Sequence, residues 1–258
     1  MNEDCDRIRE LMAATKTCVV IPTYNNAGTI VDVICRVMGY SHSVIVVNDG
    51  STDGTDELLL TLPPDITIIS YEVNRGKGYA LKQGLTRAKD MGFLNAITID
   101  SDGQHQPEEI PLFVDAMRNN EGCIIMGSRN INADGMRQGS VFANHFSNFW
   151  FFVQTTVRLP DTQTGYRLYP LRKLKGLNVM TNRYESELEL LVFAAWNGVK
   201  IVPIPVSVYY PPKEESVSHF RPVRDFARIS VLNVFLCAGA LVYGLPLKLF
   251  RNIKNKMS

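Results

Sequence analysis

No CxxC pair occurs in this chain, and its five cysteines, Cys5, Cys18, Cys35, Cys123 and Cys237, are scattered, several of them inside apolar runs. That spacing argues against a zinc site and against a disulfide framework, and for reduced thiols. An excess of charge of either sign is also missing. The 27 Lys and Arg residues balance 26 Asp and Glu to a net charge of +1, so no global field draws nucleic acid as a partner. Met1 to Thr15 carries Glu3, Asp4, Asp6 and Glu10 and lacks an apolar run. A secretory leader is therefore not expected there, and the catalytic part is expected in the cytoplasm. At 258 residues the chain fits one large domain with a sizeable core, so no multi-domain reading is needed.

What is present is a series of short apolar, β-branched runs: Cys18 to Ile21, Val44 to Val47, Ile66 to Ile69, Ala96 to Ile99 and Cys123 to Met126. They read as buried strands. Between them, Thr29 to Met38, Thr55 to Leu60, Gly78 to Asp90 and Pro107 to Asn119 read as helices. The alternation predicts an α/β domain with a mainly parallel sheet. After Asn130 the chain turns polar and then aromatic, which suggests a loop followed by an amphipathic helix. Tyr184 to Trp196 reads as a further helix, and Val199 to Tyr210 as a strand that Pro203 and Pro205 confine to a sheet edge.

In open sheets of this kind ligands collect in the loops beyond the carboxyl ends of the strands, and the polar motifs lie there. One loop, Asp100-Ser101-Asp102-Gly103-Gln104-His105, sets two carboxylates and an amide at alternate positions after an apolar run. Such ligands are hard oxygens only, suited to Mg²⁺ or Mn²⁺, which in turn holds a diphosphate. Two acidic residues at a strand end are also common in solvated turns, so the order of motifs carries more weight than this one.

That order is Ile21-Pro22-Thr23-Tyr24-Asn25, then Asn48-Asp49-Gly50-Ser51, then Asn74-Arg75-Gly76-Lys77-Gly78, then the Asp100 loop. It resembles family 2 glycosyltransferases of the GT-A fold. Gly127-Ser128-Arg129 and Asp161-Thr162-Gln163-Thr164-Gly165-Tyr166-Arg167 resemble the branch containing dolichyl-phosphate mannosyltransferase and bacterial polyprenyl-phosphate glycosyltransferases, and the likeness extends to about residue 210. The resemblance implies a Rossmann-like GT-A domain over 16–212, after an N-terminal extension over 1–15.

The likeness also implies roles. Pro22, Thr23, Tyr24, Asn26, Asp49, Lys77, Asp100 and Ser101 become contacts to a GDP- or UDP-hexose donor, and Asp100, Asp102 and Gln104 the ligands of Mg²⁺ or Mn²⁺. Asp102, Arg129 and Asp161 are the catalytic candidates. Arg129, Arg137, Ser140, Arg167, His219 and Arg221 are candidate contacts to the acceptor. Asp161 is read as a base, as a group orienting the acceptor, or as half of an ion pair with Arg167. Asn26 and Asn48 stand where many relatives carry Glu and Asp, which bears on the choice of nucleotide.

The acceptor decides the mechanism. A lipid phosphate is already an anion and needs no base, whereas a sugar hydroxyl needs a positioned carboxylate, here one of Asp161, Glu185 and Glu187. Tyr184-Glu185-Ser186-Glu187 lacks the Glu-Asp pair of hydroxyl-directed relatives, which favours a lipid-phosphate acceptor, and the leading reading is an inverting, metal-dependent transfer of a mannose- or glucose-type hexose to polyprenyl phosphate. The alternatives are transfer to a hydroxyl of a glycolipid or polysaccharide, and a non-catalytic nucleotide-binding partner subunit. Over 213–258, the apolar stretch Ile229 to Leu247 lies between Arg221, Arg224 and Arg228 and Lys248, Arg251, Lys254 and Lys256. It reads as a membrane-associated helix with a basic tail at the cytoplasmic face, lying on the bilayer or anchoring in it, with a buried core helix as the other reading.

Overall fold

The computed structural model of the chain describes residues 3–130, 138–174, 179–210 and 222–257. Seven strands form one sheet: β1 (Thr17–Thr23), β2 (Val44–Asn48), β3 (Thr67–Ser70), β4 (Asn95–Thr98), β5 (Ile124–Arg129), β6 (Arg167–Pro170) and β7 (Ile201–Val206). Their order is β3-β2-β1-β4-β6-β5-β7. All pairs are parallel except those of β6, which runs antiparallel to both β4 and β5. The five apolar runs become strands whose bounds lie within two residues of those expected, except that β5 runs on three residues past Met126, and β7 with its two prolines is an edge strand, as β3 is at the other side.

Alternation along each strand sends residues to two helical layers. On one face, Val19 and Ile21 of β1 and Val44 and Val46 of β2 meet α1 (Glu3–Ala14), α2 (Ile30–Met38) and α5 (Ile110–Asn119) through Ile8, Met12, Ile34 and Phe113. On the other, Cys18, Val20 and Val47 meet α4 (Lys77–Asp90) and α7 (Glu185–Trp196) through Leu81, Leu85, Leu188 and Leu191. The short α3 (Thr55–Leu59) follows β2. On the α4 and α7 side lie α6 (Gln138–Thr155) and the C-terminal pair α8 (Pro222–Gly239) and α9 (Leu245–Met257), joined by a π turn over Ala240–Gly244.

One expectation changes. The first fifteen residues are not a bare extension, because Ile8 and Met12 of α1 are buried against the sheet. Acidic residues in its first turn suit the positive end of a helix. At the end of the Asp161 to Arg167 motif, Arg167 opens β6 in the sheet interior.

Candidate active site

β2, β1 and β4 are neighbours, so the loops after their carboxyl ends meet at one rim of the sheet. Asn25 ties the first two loops together: its N–H donates to Ser51 Oγ at 2.9 Å, and its side-chain carbonyl accepts from the Thr52 N–H at 2.7 Å. Its φ of 52° lies in the left-handed region, which Asn tolerates better than most residues. Asn26 donates to Ser101 Oγ at 2.9 Å and so links the first loop to the Asp100 loop. Asn48 donates to the Asp56 carboxylate and accepts from the Ser51 N–H. An Asp at position 48 would set two carboxylates against each other, which gives this departure from the family pattern a local structural reason.

A cleft of about 730 Å³ opens over these loops. All the expected donor and metal residues line it, namely Pro22, Thr23, Tyr24, Asn26, Asp49, Lys77, Asp100, Ser101, Asp102 and Gln104. Asp49 is buried, and its oxygens accept from the Arg75 and Gly76 N–H groups at 2.8 and 2.7 Å and from the Asn74 amide at 3.0 Å. It thereby fixes the loop that launches α4. Burial nonetheless holds its pKa above the ordinary value, against those donors. Gly76 N-caps α4 with φ 104°, and a Cβ there would stand 2.6 Å from the Asn182 carbonyl.

Lys77, the first residue of α4, places its ammonium 2.8 Å from Asp100 Oδ1 and 3.2 Å from Glu187 Oε2. Burial opposes its charge, but these carboxylates hold its pKa above the ordinary value. Asp100 is correspondingly lowered: burial opposes its ionisation and the Lys77 charge overcomes it. Asp102 is pushed up to about 6, first by burial and then by the neighbouring Asp100 charge. Two carboxylates that repel each other beside a polar cleft, with the Gln104 amide alongside, fit a hard divalent cation. Mg²⁺ in particular is held by one or two carboxylates together with substrate phosphates. Among the described residues no group of three or more His, Cys, Asp and Glu is arranged for a metal, so two carboxylates and an amide are the complete candidate set. His105 is buried against Tyr166, and burial first of all lowers its pKa to about 4, which keeps its imidazole neutral.

Arg129 and Asp161 form a second cluster next to this cleft. Asp161 is fully buried and accepts from Arg129 Nε at 2.6 Å and Nη2 at 2.9 Å, from Asn144 at 2.5 Å and from the Gln163 N–H at 3.1 Å. Burial alone would raise its pKa, but the Arg129 hydrogen bonds lower it. Asp161 is thus paired with Arg129 and not with Arg167. The expectation that Arg167 touches the acceptor is corrected as well. Arg167 is fully buried, and its guanidinium donates to Glu187 O and Thr162 O, each at 2.9 Å, and to the Tyr169 hydroxyl at 3.0 Å. A charge deep in the sheet is held there by oxygens. Ser140 is exposed at the start of α6, while Arg137, His219 and Arg221 lie outside the described residues.

Asn74, Arg183 and Tyr184, to which the sequence assigns no site role, also line the cleft. Arg183 is a cation whose charge acts on Asp49. Its only sequence signal is a basic residue just ahead of an acidic helix start. Glu189 fixes this segment by accepting from the Met180 and Thr181 N–H groups at 2.6 and 3.0 Å. The Asn182 carbonyl in turn accepts from the Tyr79 N–H of α4 at 2.9 Å.

Among solved structures, glucosyl-3-phosphoglycerate synthase from Mycobacterium tuberculosis, in complex with Mn²⁺, UDP and phosphoglyceric acid, superposes with a TM-score of 0.67 at 19% identity. The match covers 92% of this chain and 82% of that one, and it shows a shared GT-A fold. The polyprenol monophosphomannose synthase of Mycolicibacterium smegmatis is 30% identical over 208 residues, covering 74% of this chain and 77% of the relative. The UDP-N-acetylglucosamine--dolichyl-phosphate N-acetylglucosaminyltransferase of Methanococcus voltae is 27% identical, covering 77% and 88%. A family model described as glycosyl transferase family 2 matches residues 18–174, more than half of the sequence, and on this ground the chain belongs to that family.

Proposed function

We propose that this glycosyltransferase moves a hexose from GDP- or UDP-hexose to polyprenyl phosphate, with inversion at C1, at the cytoplasmic face of a membrane. The observation that carries the reading is one cleft in which the donor loops surround Asp100, Asp102 and Gln104. These three would hold Mg²⁺ or Mn²⁺, and such an ion supplies neutralising charge to a departing nucleoside diphosphate. Within the cleft Asp49 stiffens the loop that presents Lys77, whose ammonium can reach a phosphate as a point charge. The acceptor oxygen forms its bond to C1 as the C1–O bond to the diphosphate breaks, and the bonding pair leaves with the diphosphate. Approach opposite to the leaving group gives inversion.

The acceptor assignment draws on two supports. Relatives named for transfer to lipid phosphates occur repeatedly, including the undecaprenyl-phosphate mannosyltransferase of Micrococcus luteus. Of the carboxylates that a hydroxyl acceptor would require as base, Asp161 is bound by Arg129 and Glu187 by Lys77. Glu185 differs, because its buried Oε2 has no hydrogen-bond partner among the described residues. The hydroxyl reading therefore rests on Glu185.

The test offers purified protein, with Mn²⁺, a panel of GDP- and UDP-hexoses against polyprenyl phosphate, diacylglycerol and an oligosaccharide primer, and determines the anomer formed. Transfer to polyprenyl phosphate that persists in Glu185→Gln is expected. Transfer to the primer alone, abolished by Glu185→Gln, establishes the hydroxyl reading instead. Donor binding without transfer to any acceptor points to a non-catalytic subunit.

A further inference from the structure

The apolar helix Ala227–Arg251 has 25 residues and a mean hydropathy of 1.8 over its best window. At 1.5 Å per residue it is roughly 37 Å long, enough to cross hydrocarbon. Its packing argues otherwise. Leu232, Leu236 and Ala240 recur every fourth residue and are buried against the catalytic domain. Gly239 precedes the π turn and Gly244 ends it, and a Cβ at either would strike the Trp196 indole of α7. The same indole donates to the Gln154 carbonyl of α6 at 2.8 Å. Gln154 donates to Asn233 at 2.9 Å, and Lys248 Nζ donates to the Thr155 carbonyl at 3.1 Å.

The helix is therefore seated on α6 and α7 from Leu232 to Lys248. Crossing a bilayer would strip those contacts and leave Asn233 in hydrocarbon without its amide partner. Its other face is bare and apolar, with Phe235 66%, Val242 83% and Phe250 68% exposed. Packed beside it, α6 exposes Phe142 and Phe149. Exposed apolar residues on two helices packed side by side mark an interaction face.

Charge selects the occupant. Residues 138–160 and 227–254 contain no Asp or Glu, while they carry Arg158, Arg228, Lys248, Arg251 and Lys254. Two copies of this chain joined through the face would set cations against cations. An anionic lipid surface complements it.

We infer that α6 and the α8–α9 helix form one face lying flat in the interfacial zone of an anionic bilayer, so that Ala227–Arg251 rides in the membrane plane and does not cross it. This rests on the lipid-acceptor reading above and gives it a geometry, because the chain leads from Arg129 on β5 into the membrane-facing α6.

The experiment places a fluorescent amino acid at Phe149, Phe235, Val242 or Phe250 of the full chain. Each variant is bound to phosphatidylcholine–phosphatidylglycerol vesicles with lipids brominated at shallow or deep chain positions. Shallow quenching above deep quenching at all four sites is the expected result. A quenching maximum at Val242 with deep lipid, while Phe149 stays unquenched, means a crossing helix and overturns the inference. No quenching at any site, with concentration-dependent dimers in sedimentation, assigns the face to a second copy and also overturns it. The Phe149→Glu, Val242→Glu double variant is expected to bind vesicles at least tenfold more weakly. Its transfer to a short-chain, detergent-soluble polyprenyl phosphate should stay unchanged. If wild-type protein fails in that soluble assay while shallow quenching holds, the acceptor reading alone is wrong.

Discussion

Lys77 and Asp100 are joined by a contact of 2.8 Å at the floor of the cleft, where Asp100 is also a candidate ligand of a divalent cation. The ammonium and the metal thus draw on the same carboxylate. Removing one partner of this partly buried pair leaves the other charge short of its counter-charge, which costs about 1–3 kcal/mol. Lys77→Met is expected to unfold at a lower temperature than wild type and to regain more stability from added Mn²⁺. Thermal unfolding with and without the ion measures both, and equal Mn²⁺ shifts in the two proteins would sink the idea.

Asp102 sits beside that pair with a pKa pushed up to about 6, so its charge is disfavoured by burial and by Asp100. Asp102→Asn retains an oxygen able to accept from the Gln104 N–H, a bond of 3.0 Å in the wild type. Stability is expected to hold or rise while sugar transfer falls by about a hundredfold or more, a separation of stability from function. Unchanged transfer in a Mn²⁺-supplemented assay would falsify the metal role.

Gly165 packs against the same pair. A Cβ there would stand 2.7 Å from Asp100 Oδ2 and 2.9 Å from Lys77 Nζ, so the pair must move. Gly165→Ala is expected to lower transfer at least tenfold and to destabilise by about 1–3 kcal/mol, as overpacking does. Gly139→Ala, whose Cβ would meet nothing within 4 Å, is the control, and its activity should match wild type.

The loops of the cleft were legible because their polar residues directly follow β-branched runs, a pattern that places them at strand ends. β6 was not. Its four residues, Arg-Leu-Tyr-Pro, carry a charge and a proline, and its antiparallel insertion between β4 and β5 leaves no mark in local periodicity. Arg167 reads as a site residue because a sequence does not distinguish a guanidinium in solvent from one enclosed by two carbonyls and a hydroxyl. Arg183 was missed for the opposite reason: it reaches the cleft through tertiary packing of the segment ahead of α7. The length and apolarity of Ile229 to Leu247 were plain, but the seating of the helix against Trp196 depends on elements distant in sequence.

Asp161 and Arg129 allow the same reasoning to be tested against pH. The folded-state pKa of Asp161 lies below the ordinary carboxylate value, since the Arg129 hydrogen bonds outweigh burial. As pH falls, the unfolded chain takes up the proton first. The stability held in this pair is therefore complete above about pH 4 and is lost progressively below it. At pH 7, Asp161→Asn is expected to destabilise by about 3–5 kcal/mol, because Arg129 is left buried without its counter-charge. The gap from wild type should then narrow below pH 4 in urea unfolding, and a constant gap down to acid unfolding would show that charge is not what holds the site. Replacing both partners by apolar residues, Arg129→Met with Asp161→Leu, should destabilise less than the two single changes added together. Strict additivity would mean that the 2.6 Å contact contributes no coupling.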